Sequence, residues 1–142
     1  MRIRLLMLGK TRNAALREIL DDYVQRIGRH SQIEITEVRD AAAAIKRLDV
    51  DRAATVVLLD AAGKNPDSVA FARWLGEQRD RGAREIIFLC GDADGFPDAL
   101  RQRASQKLSL SAMTFSHELA RVTLAEQLYR AFAILSGSPY PK

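Results

Sequence analysis

Apolar and hydroxyl-bearing side chains are interleaved over residues 108–116, directly before a long helical pattern that ends at Leu135. The apolar members are Leu108, Leu110, Met113 and Phe115, and the hydroxyl-bearing members are Ser109, Ser111, Thr114 and Ser116. Such a segment offers an apolar wall with polar groups beside it, which suits a small ligand with a flat ring and a polar edge. Ser116 predicts the N-cap of the helix, and Glu118 in its first turn is favourable against the helix dipole. The sequence therefore predicts a binding loop held in place by a capped helix.

Motifs that bind nucleotide phosphates are absent from the sequence. Residues 9–11, Gly-Lys-Thr, match the end of a phosphate-binding P-loop, but that motif also needs a glycine at position 4, where Arg4 stands. No G-x-G-x-x-G follows the first predicted strand, which excludes the dinucleotide-binding fingerprint.

Metal-binding patterns fail as well. Residues 92–95, Asp-Ala-Asp-Gly, resemble part of a calcium loop, but its first ligand position would be Cys90 and its closing glutamate would be Arg101. His30 and His117 have no partner set of Cys or His at metal-binding spacing. We therefore expect no metal site.

Length and composition predict a single domain over residues 1–142. The chain has 142 residues, of which 47% are apolar, enough to fill one core. The longest apolar runs, 55–59 and 86–90, are too short to cross a bilayer, and residues 1–9 lack the length and cleavage site of a signal peptide. We therefore expect a cytoplasmic protein with no membrane partner. We expect the single cysteine, Cys90, to act as a small apolar residue at the end of a strand. The net charge of +4 favours a polyanionic partner such as RNA.

Strand and helix patterns alternate along the chain. Alternating or continuously apolar runs predict strands over residues 2–8, 32–38, 55–60, 85–90 and 106–110. Apolar residues at helical spacing predict helices over residues 14–27, 40–48, 68–81, 97–104 and 118–135. Thr11 or Asn13 is the expected cap of the first helix, and residues 61–66 predict a turn after the third strand.

This order of elements predicts an α/β fold with a mostly parallel sheet between layers of helices. Such sheets bind ligands outside the carboxyl ends of their strands. Three predicted loops fall there: the loop after Leu59, residues 91–95 and residues 111–116. We expect these loops to meet in one pocket.

Segments that supply these loops carry a resemblance to a known family. They are residues 55–64, residues 89–95 and, above all, residues 108–132 with their sequence Met113-Thr-Phe-Ser-His117. In these segments the chain resembles the RlmH family, the large-subunit ribosomal RNA pseudouridine methyltransferases of the SPOUT superfamily. The resemblance implies a homodimer with a trefoil-knotted carboxyl end, which uses S-adenosyl-L-methionine to methylate a pseudouridine ring nitrogen in the ribosomal RNA of the assembled ribosome.

The resemblance also implies a set of cofactor-binding residues. These are Leu59, Gly91, Leu110, Ser111, Ala112, Met113, Thr114 and Phe115. Gly91 permits a close approach of backbone to ligand, and Gly95 readily adopts a positive φ. A simple tight turn is the alternative for both glycines. Core packing is an additional role for the apolar members of the set, and turn capping for the hydroxyl-bearing ones.

Three residues are candidates for catalysis: Arg130, Tyr140 and His117. Arg130 matches an arginine that the family places near the RNA, and Tyr140 matches the terminal tyrosine placed beside the target base. Arg121 and Arg130 lie on different sides of the predicted final helix, so one is expected to serve the pocket and the other RNA or a partner chain. The alternatives are a solvated helix face or a salt bridge for either arginine, and stabilisation of the loop or a buried, hydrogen-bonded side chain for His117.

Three positions depart from the family pattern. Asp92 stands where a second glycine is usual, Ser116 replaces a proline, and Pro141 follows Tyr140 where histidine is common. The histidine would be the most obvious proton acceptor, so its absence leaves that role open. Asp92 either shifts the cofactor loop or acts as a base.

Because of these departures, two other functions stay open in addition to a methyltransferase that acts on the same RNA target as the RlmH family. One is a ribosome-binding or assembly protein of the same fold that does little chemistry, and the other is a SPOUT-like methyltransferase with another RNA target. In all of them the final helix carries more apolar surface than a thin sheet edge needs, which predicts a dimer interface. We expect some of the following residues to form it: Leu119, Val122, Leu128, Tyr129, Phe132 and Leu135. The alternative is a helix that belongs entirely to the internal core.

Overall fold

In the computed structural model, which describes residues 1–140, a five-stranded sheet is surrounded by five helices. The strands are β1 (Arg2–Leu8), β2 (Gln32–Val38), β3 (Thr55–Lys64), β4 (Glu85–Cys90) and β5 (Gln106–Leu108). The helices are α1 (Ala14–Ile27), α2 (Ala41–Leu48), α3 (Ser68–Asp80), α4 (Asp98–Arg101) and α5 (His117–Ser136). The strand order is β2-β1-β4-β3-β5 and every pair is parallel, which confirms the predicted α/β class. None of the described helices has the length and apolar character that a membrane crossing requires.

Two apolar cores lie on opposite faces of the sheet. Alternate β1 residues Ile3, Leu5 and Met7 point into the core formed with α1, α3 and α5. Leu6 and Leu8 point into the other core, which α2 and α4 cover. The strand period of two therefore assigns each side chain of this central strand to one layer.

Polar side chains define where four of the helices begin. Asn13, Asp40, Asp67 and Ser116 each accept the backbone N–H three residues later, at the N-termini of α1, α2, α3 and α5. Asn13 is thus the cap of α1, and the predicted cap at Ser116 is confirmed. Each cap satisfies a helix N–H that has no partner within the helix.

The region predicted as a turn at residues 61–66 is the main correction to the elements. Strand β3 continues to Lys64, because β5 pairs with it on both sides of an irregularity, at Leu59 and at Lys64. Gly63 makes this close approach possible, since a Cβ there would lie 2.6 Å from the backbone carbon of Lys107. Strand β5 and helix α4 are also shorter than predicted, ending at Leu108 and Arg101.

Two of the six interface candidates on the final helix are core residues. Leu128 and Phe132 are 0% and 4% exposed, because they fill the core between α5 and the sheet. Leu119 is 47% exposed and stays available to a partner. Pro141, the position of the missing histidine, lies outside the described residues.

Candidate functional site

The three predicted loops meet at the carboxyl edge of the sheet, around a cavity of about 500 Å3. One wall comes from Leu59 and Asp60 in the middle of β3, and a second from the end of β4 and the loop after it, between Cys90 and Phe96. The third comes from the segment between β5 and α5, including residues 113–117. The predicted convergence is confirmed, and its cause is the parallel sheet, which brings the carboxyl ends of β3, β4 and β5 to one edge.

Seven of the eight residues predicted to bind cofactor line this cavity; the exception is Ala112, which is exposed. The lining members are Leu59, Gly91, Leu110, Ser111, Met113, Thr114 and Phe115. Met113 is 78% exposed and Phe115 is 37% exposed, an unusual state for large apolar side chains grouped around a concavity. Exposed apolar surface of this kind is typical of a ligand-binding site.

Hydrogen bonds fix the shape of the loop between β5 and α5. The Ser109 hydroxyl donates to the carbonyl of Ser111 at 2.9 Å, and the Ser111 hydroxyl accepts the N–H of Met113 at 2.9 Å. Asn65 donates its side-chain amide to the carbonyl of Ser109 at 3.0 Å, which connects the loop to the end of β3. Ser111 therefore both shapes a turn and lines the cavity, so the two roles considered for it coexist.

The loop after β4 is a tight turn with an aromatic ring beside it. Gly95 has φ +77°, as predicted, and donates its N–H to the carbonyl of Asp92. A Cβ on Gly91 would lie 3.2 Å from the ring of Phe96, so the absence of a side chain there lets the ring approach. The carboxylate of Asp92 accepts the N–H of Asp94 at 2.9 Å. Asp92 therefore helps to build the turn that replaces the expected pair of glycines.

An ion pair that sequence reasoning missed joins two of the walls. Arg101 donates to the carboxylate of Asp60 at 2.6 Å and to the carbonyl of Phe96 at 3.3 Å. The other oxygen of Asp60 accepts the N–H of Ala62 at 2.9 Å. The bond from Ala62, followed by the one from Arg101, holds the pKa of Asp60 below its ordinary value. Asp60 is thus ionised at neutral pH, and Arg101 connects the end of β3 to the loop that carries Phe96.

Cys90, the last residue of β4, lies at the inner wall of the cavity. It is 2% exposed, and burial raises the pKa of its thiol to about 12. The thiol is therefore protonated at neutral pH and acts as a small apolar group, as the sequence predicted, rather than as a nucleophile.

His117 lines the cavity, and its neighbour Glu118 connects the same helix turn to another loop. Glu118 accepts the backbone N–H of Arg12 at 3.0 Å and of Asn13 at 2.9 Å. These bonds, the one from Arg12 first, lower the pKa of Glu118. His117 Nε2 lies 3.8 Å from the Glu118 carboxylate. Glu118 therefore does more than complement the helix dipole, because it attaches the first turn of α5 to the loop before α1.

Arg121 is a buried structural residue and does not line the cavity, which corrects its assignment to the pocket or to RNA. It is 0% exposed and donates to the carbonyls of Leu8 and Gly9, at 2.7 and 3.2 Å. A third bond, of 3.0 Å, reaches the hydroxyl of Thr11. Arg121 therefore fixes the loop that follows β1.

Arg130 and Tyr140 lie together, but away from the cavity. Arg130 forms a 2.7 Å ion pair with Glu126, which was one of the alternatives considered for it. Its guanidinium carbon lies 5.3 Å from the ring centroid of Tyr140. The Tyr140 hydroxyl donates to the same carboxylate at 2.7 Å and lies 3.4 Å from the hydroxyl of Tyr23. Burial, followed by the bonds to Tyr23 and Glu126, raises the pKa of Tyr140. Tyr140 is thus a proton donor at neutral pH.

The length of α5 separates these two groups of candidates. His117 is the first residue of the helix and Arg130 is 13 positions further on, about 20 Å along the axis at the usual rise per residue. Arg130 and Tyr140 are accordingly absent from the cavity lining, whereas His117 belongs to it. One chain therefore does not bring all three catalytic candidates to one place.

A parallel α/β sheet with a ligand-sized cavity at its carboxyl edge defines a class of proteins that bind small molecules at that edge. Residues 1–141 match the family model described as "Predicted SPOUT methyltransferase", and the chain belongs to that family. It is 42% identical over 151 residues to the "Ribosomal RNA large subunit methyltransferase H" of Pelobacter propionicus, with 99% of each chain covered. The protein of the same name from Gemmatimonas aurantiaca is 40% identical over 157 residues, with both chains fully covered. The resemblance to the RlmH family is thereby confirmed.

Solved structures share the fold at low sequence identity. The SpoU methyltransferase AviRb from Streptomyces viridochromogenes superposes with a TM-score of 0.59 at 14% identity, covering 96% of this chain and 61% of AviRb. A probable methylase family protein from Haemophilus influenzae superposes with a TM-score of 0.60 at 10% identity, covering 99% of this chain and 70% of that protein. Both are similar to this chain in fold.

Proposed function

We propose that this protein uses S-adenosyl-L-methionine to methylate a pseudouridine ring nitrogen in large-subunit ribosomal RNA. The observation that carries the proposal is the single cavity in which seven of the residues assigned to the cofactor meet. Two further findings support it. The relatives named above are ribosomal RNA large subunit methyltransferases, and AviRb has been solved in complex with the cofactor AdoMet.

The cavity fits this cofactor in size and chemistry. Its volume of about 500 Å3 lies within the usual range for sites that enclose small molecules. Apolar side chains of Leu59, Leu110 and Met113 provide walls for a flat ring, and the ordered backbone of residues 110–115 provides polar groups for its edge. Asp92 and the ion pair of Asp60 with Arg101 add polar groups to the lining, beside the apolar walls. When bound, S-adenosyl-L-methionine supplies an electrophilic methyl group on a positively charged sulfur.

The task of this chain is to orient the reactants and exclude water. Holding two reactants in line contributes up to about 7 to 11 kcal/mol in ideal cases. Met113 and Phe115 stand exposed at the cavity and are placed to cover a bound ligand. His117 is the catalytic candidate that lines the same cavity. We assign it to contact with the target base of the RNA or with the proton on the ring nitrogen of that base.

A homodimer resolves the separation of the remaining candidates. We assign Arg130 and Tyr140 of one protomer to the active site that is built around the partner's cavity. The outward side of α5 supports this assembly, because Leu119 and Ile134 are 47% and 37% exposed at its two ends. Arg130 lies between these two residues in the helix, and its side chain is 25% exposed. The trefoil knot that the family implies remains a prediction, as do the single domain and the cytoplasmic location.

A ribosome-binding or assembly protein of the same fold is the alternative. One observation favours it: the proposed catalytic tyrosine is protonated and already engaged with Glu126, so it has no capacity to accept a proton. Such a protein would retain the cavity and the contacts with the ribosome without transferring a methyl group.

Modification mapping separates the two functions. We expect a strain that lacks this protein to lose one methyl mark on a pseudouridine of large-subunit ribosomal RNA, and a plasmid copy to restore it. In parallel, calorimetry should detect binding of S-adenosyl-L-methionine to the purified protein. Cofactor binding with an unchanged modification map would favour the assembly protein. Loss of a mark at another RNA position would instead favour a SPOUT methyltransferase with a different target.

A further inference from the structure

We infer that the sheet edge beside the cavity binds the phosphate backbone of the RNA through Lys10, Arg12 and Arg39. This inference rests on the proposed function, because it names the surface by which the RNA substrate is held. Lys10 and Arg12 lie in the loop after β1, and Arg39 lies in the loop after β2. All three side chains are exposed.

Strand order places these residues next to the cavity. Strands β4, β3 and β5 end at the cavity, while β1 pairs directly with β4, and β2 pairs with β1. Because every strand is parallel, the loops after β1 and β2 emerge at the same edge as the cavity loops, one or two strand spacings of about 5 Å away. A polyanion bound along this half of the edge would therefore pass the mouth of the cavity.

Carboxylates near these loops accept backbone N–H groups. Glu37 accepts the N–H of Thr11 at 3.0 Å and pairs with Arg17 at 3.1 Å. Glu118 accepts the two N–H groups described above, and its side chain is only 13% exposed. The Asp40 carboxylate caps α2 through the N–H of Ala43. Glu37 and Glu118 thus satisfy backbone donors with side chains that are only 24% and 13% exposed, and Asp40, at 55%, is the exposed carboxylate beside Arg39.

Within residues 1–140, neither Lys10 nor Arg12 has a carboxylate within ion-pair distance. Arg39 has a side chain that is 92% exposed and a single, long contact of 3.8 Å to Asp40. Three lysine or arginine side chains in two adjacent loops, with no large apolar residue between them, fit phosphate groups better than a protein partner.

The backbone that carries these cations is firmly held. Gly9 donates its N–H to the carbonyl of Val38 at 2.7 Å, which joins the two loops. Arg121 and Glu118, both from the helix that borders the cavity, bind the loop after β1 from the other side. A fixed backbone lowers the entropic cost of placing cations on a ligand. It also holds the RNA-binding groups in a constant position relative to the cavity.

Charge removal at this edge, compared with equal removal elsewhere, tests the inference. The test variant combines Lys10→Gln and Arg12→Gln. The matched control combines Arg73→Gln and Arg81→Gln, two exposed arginines at α3 with no ion pair in the described residues. Affinity for ribosomes that lack the methyl mark is measured between 50 and 200 mM salt. Melting temperature and cofactor affinity are measured on the same samples.

We expect the test variant to lower the slope of log affinity against log salt by about 1.4 to 1.8, or about 0.7 to 0.9 per lost contact. Over that salt range the wild type should lose about tenfold more affinity than the test variant. Adding Arg39→Gln should lower the slope by about one contact more. The control variant should keep the wild-type slope, and cofactor affinity should stay unchanged in all variants.

An unchanged slope in the test variant, or an equal decrease in the control, would overturn the inference. If the predicted slopes are found but the wild-type protein transfers no methyl group, the surface is supported and the proposed function is the one contradicted. The two failures are therefore distinguishable.

Discussion

Glu118, in the first turn of α5, accepts the backbone N–H of Asn13 at 2.9 Å, and Asn13 is itself the N-cap of α1. The same carboxylate accepts the N–H of Arg12 at 3.0 Å. One side chain therefore connects the helix that borders the cavity to the loop that carries Lys10 and Arg12. Since His117 precedes Glu118, the cofactor site and the proposed RNA surface share this structural support.

Glu118→Gln should destabilise the fold by about 1 to 3 kcal/mol at neutral pH, because a charged acceptor of two N–H bonds is lost. The folded-state pKa of Glu118 is lowered, so its contribution is fully present above its ordinary pKa of 4.5 and is lost as the pH falls through the folded pKa. The stability difference between wild type and variant should therefore shrink on acidification. Urea unfolding at a series of pH values measures this difference.

Glu77→Gln is the matched control for this prediction, since Glu77 is exposed on α3. It should leave the stability nearly unchanged at every pH. A Glu118→Gln difference that stays constant down to low pH would show that the ionised carboxylate is not the source of the stabilisation.

Gly91→Val should greatly weaken binding of S-adenosyl-L-methionine, by about tenfold or more. A side chain at this position meets the ring of Phe96 at 3.2 Å and moves either the ring or itself into the cavity. Gly95→Val is the comparison, because a Cβ there meets no atom within 4 Å, whereas the φ of +77° is unfavourable for a residue with a side chain. Gly95→Val should cost about 1 to 3 kcal/mol of stability through backbone strain. Calorimetry and thermal unfolding of both variants separate the two effects; wild-type affinity in folded Gly91→Val would remove Gly91 from the site.

The elements were predictable from the sequence because their signals are local. The cap at Ser116, the alternation in β1 and the three loops at one edge each depend on residues close in the chain or on the parallel order of the strands. The ion pair of Arg101 with Asp60 joins residues 41 positions apart, and the bond from Asn13 to Glu118 spans 105 positions. No periodicity encodes such pairs.

The wrong predictions also arise from contacts between residues that are far apart in the chain. Residues 61–64 have the composition of a turn, yet pairing with β5 keeps them extended, and Gly63 is required by the backbone of Lys107 rather than by a turn. Arg121 had the appearance of a helix-surface residue available to RNA or the cofactor. It is buried because the carbonyls at the end of β1 need donors.

Arg130→Ala should leave cofactor binding nearly unchanged and strongly reduce methylation of ribosomes, because Arg130 is absent from the cavity lining of its own protomer and we assign it to the RNA at the partner's cavity. If it contacts one phosphate, the salt dependence of RNA binding should also fall by about one unit. Arg130→Lys, which keeps the charge, is the control for that slope. Equal losses of cofactor and RNA affinity, with a lower melting temperature, would instead indicate a purely structural ion pair with Glu126.

Mixed dimers test whether Arg130 acts on the partner's cavity. At a cofactor concentration well below the Kd of Gly91→Val, Gly91→Val and Arg130→Ala should each have little activity alone, but co-expression should restore about a quarter of wild-type activity. Half of randomly assembled two-fold dimers are mixed, and each of those has one complete site. Sedimentation must show dimers at micromolar concentration. No recovery of activity in proven mixed dimers would show that Arg130 acts in the active site of its own protomer.

Transfer of a labelled methyl group tests the central claim most directly. Purified protein is incubated with S-adenosyl-L-methionine labelled on its methyl group and with ribosomes from a strain that lacks this protein, and the labelled nucleotide is then identified. We predict label on one pseudouridine of the large-subunit ribosomal RNA, and no label with Gly91→Val or with ribosomes that already carry the mark. Cofactor binding without any label in the RNA, from a protein that is folded and dimeric, would contradict it.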